Sequence, residues 1–108
     1  MRTLNVEIKF LPGARSTYVD LESGKYRTIA AAGIHHSIDT VSQPNGLFGI
    51  ALRSGPKHVD PGQTVHAVMV PLIYEPASDQ IAAAGTFTVF EPPKVVAHGR
   101  VLDPSDNV

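Results

Sequence analysis

Residues 85–102 read GTFTVFEPPKVVAHGRVL, and this stretch decides the fold of the chain. Two runs rich in β-branched and aromatic residues stand on either side of a short polar break, a pattern typical of two paired strands. The break contains Pro92 and Pro93, neither of which can donate a backbone N–H to a sheet ladder. We therefore predict a hairpin with the two prolines at its solvated tip.

The side chains of this hairpin alternate between two faces. Since successive residues of a strand point to opposite sides, every second residue is expected to face the core. The positions predicted to face inward are Phe87, Val89, Val95, Ala97, Gly99 and Val101. His98 and Arg100 fall between them, so we predict that they point outward. Gly99 is expected to let a neighbouring strand approach closely.

Four other segments have the composition of strands. Residues 3–11 alternate strictly between apolar and polar residues, which predicts a strand with one buried face. The other predicted strands are Tyr26–Ile34, Leu47–Arg53 and Thr64–Ile73. The last is apolar on both faces, as expected of a central strand, and Pro71 near its end indicates an edge or a bulge. Six strands at these spacings predict an all-β barrel or sandwich.

Two segments between the strands have their own character. Ser78–Gly85 is predicted to form about two helical turns, with Ser78 as the N-cap and Gly85 just after the last turn. Residues 13–25, GARSTYVDLESGK, are predicted to form a long exposed loop. Because the loop is longer than a hairpin requires, it is a candidate binding surface.

The length, net charge and cysteine content of the chain limit the classes of protein to which it can belong. Its 108 residues suit one domain, and we expect residues 103–108 to fray. A formal charge of −1 gives the whole molecule no electrostatic attraction to nucleic acid or to an anionic membrane. The chain has no cysteine, which excludes disulfides and a thiol nucleophile. The N-terminal MRTLNVEIKF lacks the apolar core of a signal peptide, so we expect a cytoplasmic protein without a membrane segment.

The sequence has no convincing catalytic constellation. GKYRT at Gly24 lacks the upstream glycine and the following hydroxyl residue of a phosphate-binding loop, and no serine lies in a nucleophile elbow. The histidines lack the spacing of metal ligands, since strand neighbours point to opposite faces; they are His35, His36, His58, His66 and His98. We therefore expect a non-enzymatic protein with no metal and no cofactor.

Cationic and aromatic residues form the candidate binding group. Arginine side chains can pair with phosphates or carboxylates, and tyrosine rings can stack or donate a hydrogen bond. The candidate partner-binding residues are Arg15, Tyr18, Lys25, Tyr26, Arg27, Lys94 and Arg100. The alternative interpretation is a solvated loop of mixed charge, because Asp20 and Glu22 lie in the same segment.

Five motifs in order resemble a known domain. They are VEIKFLP, GAR-ST, G-K-YR, VDPGQTV and GTFTVFE-x-x-KVVAHGRV, and they span Val6 to about Leu102. This order is similar to that of the C-terminal β-barrel domain of elongation factor Tu and its stand-alone relatives. The residues that match its loop, strand and hairpin motifs are Gly13, Arg15, Tyr26, Arg27, Glu91, Lys94 and Gly99. The residues that depart from those motifs are Ala14, Thr28, Pro92, Pro93 and Ala97.

The resemblance implies a six-stranded antiparallel barrel of Greek-key type. In the elongation factor this domain packs on a GTPase domain and touches both the T-stem backbone of aminoacyl-tRNA and the exchange factor. The leading hypothesis for function rests on the long polar loop of residues 13–25 in a chain without catalytic apparatus: a binding module for a protein partner, with an inhibitor or immunity-type role among its forms. The alternative, which the resemblance implies, is an RNA- or tRNA-binding, translation-associated role. Its residues would be Arg15, Lys25, Arg27, Lys94 and Arg100.

Overall fold

The computed structural model describes residues 3–41, 46–72 and 76–102. Strands are the main regular structure of these residues, and they are accompanied by one short α-helix. The strands are β1 Leu4–Phe10, β2 Tyr26–Ala32, β3 Phe48–Arg53, β4 Thr64–Pro71, β5 Thr86–Glu91 and β6 Lys94–Val101. The helix α1 spans Pro76–Ala84, and a 3-10 turn spans Ile38–Thr40. The predicted end of the fourth strand at Ile73 and the predicted fraying of residues 103–108 lie outside the described residues.

The six strands close into an antiparallel barrel in the order β1-β4-β3-β2-β5-β6. Strand β1 closes it, because its residue Glu7 lies opposite His66 of β4 on one side and Arg100 of β6 on the other. Closure pairs each of the six described strands along both of its edges. The predicted six-stranded antiparallel barrel is therefore confirmed, and the sandwich alternative is not the fold.

The strict alternation in β1 places one face in the barrel interior. Leu4, Val6, Ile8 and Phe10 are all at most 2 % exposed, and they pack with inward side chains from the other strands. Strand β4 pairs with β1 and β3, as each strand of the closed barrel pairs with two neighbours. The prediction of an edge or a bulge at Pro71 is wrong, because Pro71 ends β4 in regular register opposite Ile50.

The helix α1 contacts β2, β4 and β5 at the end of the barrel where β4 finishes and β5 begins. Ala77 and Ile81 are buried against the core. The helix begins at Pro76, so the prediction of Ser78 as its N-cap is wrong: Ser78 is a buried residue of the first turn. Proline suits the first turn because its missing N–H would have no partner there. Gly85 follows the last turn with φ +78°, as predicted.

The hairpin of β5 and β6 contains an irregularity that the alternation did not predict. The register shifts between Val89 and Phe90, and Val96 and Ala97 are both buried. As a result, the prediction that Val95 faces the interior is wrong. Val95 instead packs on Phe90 in a second apolar cluster, which the segment between β2 and β3 covers with Ile38, Val41 and Leu47.

The loop of residues 13–25 is only partly exposed, so its prediction as a fully exposed loop is wrong. Val19 and Leu21 are 3 % and 0 % exposed and belong to the core. Val19 also forms an isolated antiparallel bridge with Val59, through two backbone hydrogen bonds of 2.9 Å. The loop is therefore anchored at its centre, and its first half and its far end remain at the surface. No helix in the described part of the chain is long and apolar enough to cross a membrane.

Candidate functional site

The first half of the loop and the tip of the last hairpin meet at one end of the barrel. Strand β1 pairs with β6 up to Phe10 and Ala97, and the Leu11 N–H then donates to the Val96 carbonyl at 2.9 Å. This pairing brings the chain after β1 against the tip. Residues 13–17 and 91–94 line an open groove of about 520 Å³ between them. We call it the loop groove.

A hydrogen-bond network fixes the floor of the loop groove. The Arg15 guanidinium and the Tyr26 hydroxyl both donate to Oε2 of Glu91. The guanidinium carbon lies 5.6 Å from the centroid of the Tyr26 ring, within range of a cation–π interaction. Nη2 of Arg15 also donates to the hydroxyl of Thr17 at 3.3 Å. Since the loop supplies Arg15 and Thr17 while β2 and β5 supply Tyr26 and Glu91, the network ties the loop to the barrel.

The environment of Tyr26 keeps its phenol in the neutral form. Burial raises the pKa of Tyr26 well above its ordinary value of about 10, and the hydrogen bond to the Glu91 carboxylate raises the pKa further. The nearby Arg15 charge acts in the opposite direction and is outweighed. Tyr26 therefore remains protonated and donates its hydrogen bond to Glu91. Its ring serves mainly to hold the site in shape.

Tyr18 presents an aromatic face to solvent at the same end of the barrel. Its side chain is 51 % exposed, and its ring stacks on that of His58 with centroids 4.2 Å apart. The Val19–Val59 bridge places these two segments side by side. Nε2 of His58 lies 2.8 Å from Oδ1 of Asp60, which orients the imidazole. The stack is thus held in place before any partner binds.

The remaining predicted residues lie in three different surroundings. Lys94 is exposed and lines the loop groove. Lys25 and Arg27 are exposed at the start of β2 and do not line it. Arg100 lies on the outer face of β6, away from the tip, and its Nε donates to Oε1 of Glu7 at 2.9 Å. The structure therefore brings Arg15, Tyr26 and Lys94 together and places Arg100 elsewhere.

The surroundings of Arg100 form a separate charged row across three strands. Glu7 accepts from Arg100 on one side, and Nε2 of His66 lies 3.4 Å from its Oε2 on the other. The hydrogen bond from Arg100 holds the pKa of the Glu7 carboxyl below its usual value. Arg100 is therefore an ion-pair partner within the barrel wall.

A second groove, which the sequence did not predict, lies on the other side of the hairpin tip. Its volume is about 400 Å³, and we call it the histidine groove. Its lining residues are Leu11, His36, Ser37, Pro93, Lys94, Val95 and His98. The rings of His36 and His98 meet edge to face, with centroids 5.5 Å apart. The described residues contain no group of three or more histidine, aspartate or glutamate side chains placed to hold a metal ion.

The structure defines the class of protein as a closed six-stranded antiparallel β-barrel, with two open grooves beside the hairpin tip. Comparison of the sequence with models of known protein families and with curated proteins finds no match.

Proposed function

We propose that the chain is a non-enzymatic binding module whose partner is a protein that docks over the loop groove and the Tyr18 face. One observation carries the proposal: the Arg15–Glu91–Tyr26 network holds the groove in a single shape across β2, β5 and the loop. A surface ordered in advance loses less conformational entropy on binding. Tyrosine and arginine are also the residue types that dominate binding energy at protein interfaces.

Protein is favoured over RNA as the partner. Binding to RNA relies on lysine and arginine side chains that neutralise phosphates. Here Arg15 donates to Glu91 and Arg100 donates to Glu7, so a phosphate would have to compete with a carboxylate at both positions. The net charge of −1 gives no compensating attraction. RNA binding through Lys25, Arg27 and Lys94 is the alternative function.

We also propose that the barrel is of the elongation factor Tu C-terminal type, with Greek-key connections. The order of strands supports this assignment, since β2, β3 and β4 are sequential neighbours and β1 lies beside β4. The match of Gly13 to a glycine of the family's loop motif adds support, because the backbone there has a φ of +77°, a conformation that favours glycine. A solved structure with a different order of strands would contradict this assignment.

The immunity-type or inhibitor role is one form of this proposal. A small cysteine-free barrel with a fixed end surface suits the capture and neutralisation of a cytoplasmic partner.

Affinity capture from native lysate tests the proposed function. Because Val19 and Leu21 belong to the core, the test variant replaces only Ser16, Thr17 and Tyr18 with alanine. The matched control is Ala83→Gln, an exposed position on α1 at the other end of the barrel. We expect the wild type and the control to retain the same protein after RNase treatment and the loop variant to lose it.

Two results would contradict the proposal. Equal recovery by the loop variant would show that the partner binds elsewhere. Recovery that RNase abolishes would support the RNA alternative, and it would then have to weaken steadily as salt is raised.

A further inference from the structure

The histidine groove combines a basic rim with apolar walls. Lys94 is exposed at the rim, and His36 and His98 lie beside it. Leu11 and Val95 form part of the wall and are each only partly buried. A ligand that fits both features carries a negative charge next to an apolar group.

The charge balance of the two grooves is positive. Among the described residues that line them, the only acid is Glu91. Oε2 of Glu91 already accepts hydrogen bonds from Arg15 and Tyr26, so the negative charge of Glu91 is already engaged by those two residues. Lys94 lines both grooves and lies opposite Glu91 in the pairing of β5 with β6, and none of the residues that line the histidine groove carries a carboxylate.

His98 is held in one orientation by the loop that precedes the 3-10 turn. Its Nε2 lies 2.8 Å from the carbonyl oxygen of His35, and since a carbonyl only accepts, Nε2 carries the proton. The amide of His35 is in turn fixed by a 2.8 Å hydrogen bond to the hydroxyl of Thr88. The histidine side of the groove is thus built on β6 and a fixed loop.

We propose that the histidine groove binds an acidic peptide segment of the protein partner, with an aspartate or glutamate carboxylate at Lys94 and an adjacent apolar side chain against Leu11 and Val95. This inference rests on the proposed function, because it supplies the chemistry of that partner. A peptide fits better than RNA because Lys94 is the only lysine or arginine among the residues that line the groove, whereas RNA binding relies on several such side chains that neutralise phosphates.

Fluorescence anisotropy with labelled peptides tests this proposal on the full chain. The probe is hexaglutamate extended by one leucine, and the control peptide has glutamine in place of every glutamate. We expect the acidic peptide alone to bind, and Lys94→Gln to weaken it by about two- to fivefold, the range for one exposed ion pair. The control variant Lys57→Gln removes an exposed lysine that lines neither groove and is expected to bind like the wild type.

Different results would overturn the inference for different reasons. Equal binding of the acidic and neutral peptides, or equal loss in Lys94→Gln and Lys57→Gln, would overturn the inference. Tighter, Lys94-dependent binding of a single-stranded uridine oligonucleotide would overturn it in favour of RNA. Urea midpoints equal to that of the wild type show that both variants fold.

The same variants separate this inference from the function on which it rests. If lysate capture succeeds and Lys94→Gln captures the partner as well as the wild type, the acidic-segment inference fails and the proposed function stands. If the acidic peptide binds through Lys94 but the lysate yields no protein that depends on residues 16–18, the proposed function fails.

Discussion

At Gly99 the absence of a side chain sets the distance between strands. A Cβ atom there would lie 2.7 Å from Cε1 of Phe87 and 2.8 Å from the carbonyl oxygen of Glu7, both closer than packed atoms tolerate. Phe87 is fully buried in the barrel, and the Glu7 oxygen belongs to the β1 backbone, so neither can move freely. The sequence predicted this close approach, since a glycine inside a strand often marks one.

Gly99→Ala is expected to destabilise the protein by about 1–3 kcal/mol, the usual cost of overpacking a core. Gly49→Ala is the matched control, because its new Cβ would lie 3.8 Å from the nearest atom, Cβ of Leu72. Urea unfolding followed by circular dichroism compares the two. Equal midpoints for both variants would contradict the close packing at Gly99.

Ionisation of the Tyr26 phenol is expected to lower the stability of the protein at alkaline pH. Because the folded pKa of Tyr26 is raised, its contribution is complete below the unfolded value of about 10 and is lost as pH rises beyond it. At about pH 11 the folded wild type should show the same phenolate absorbance as Tyr26→Phe, and an excess should appear only after denaturant is added. An excess phenolate signal in the folded wild type would contradict the buried, hydrogen-bonded phenol.

At the scale of elements, the alternation of apolar and polar residues predicts the strands well and the loop between β1 and β2 less well. The period of two in β1 appears in the structure residue by residue, since each inward position is buried. The run Val95, Val96 and Ala97 in β6 is continuously apolar. The sequence therefore cannot show where the register of β6 against β5 shifts and the alternation of inward and outward residues is broken. The loop did contain a signal: Val19 and Leu21 are spaced like residues of one strand face.

The anchored loop gives a direct test at this scale. Leu21→Ala removes a side chain that is 0 % exposed and is expected to cost about 2–5 kcal/mol through lost burial and a cavity. Its neighbour Glu22 is exposed, and Glu22→Ala should change the free energy of unfolding by less than about 0.5 kcal/mol. Thermal and urea unfolding measure both values. A Leu21→Ala variant as stable as Glu22→Ala would mean that the loop does not pack on the core.

At the scale of the whole molecule, barrel closure explains which of the predicted binding residues lie close together. The end of β1, the start of β2 and the hairpin tip meet at one end, which brings Arg15 and Lys94 to the loop groove and Tyr26 to Glu91 beside them. Arg100 lies farther along β6 and faces Glu7 instead. Sequence reasoning could select basic and aromatic residues, but it could not tell which of them the strand order would bring together or which would already have an acidic partner.

The same closure explains why the histidine groove was not predicted. His36 and His98 are far apart in the sequence, and they meet because the loop after β2 folds over the outer face of β6. Spacing along one strand carries no information about such a contact. The sequence predicted only that His98 would point outward, which is the orientation that lets it meet His36.

Photo-crosslinking in cells tests the central claim, that the hairpin end of the barrel binds a protein, most directly. A benzoylphenylalanine placed at Ser16, which is exposed and lines the loop groove, is compared with one at Ala83, which is exposed on α1 at the other end. We predict one discrete protein adduct from position 16 and none from position 83. No adduct from position 16, or the same adduct from both positions, would contradict the claim.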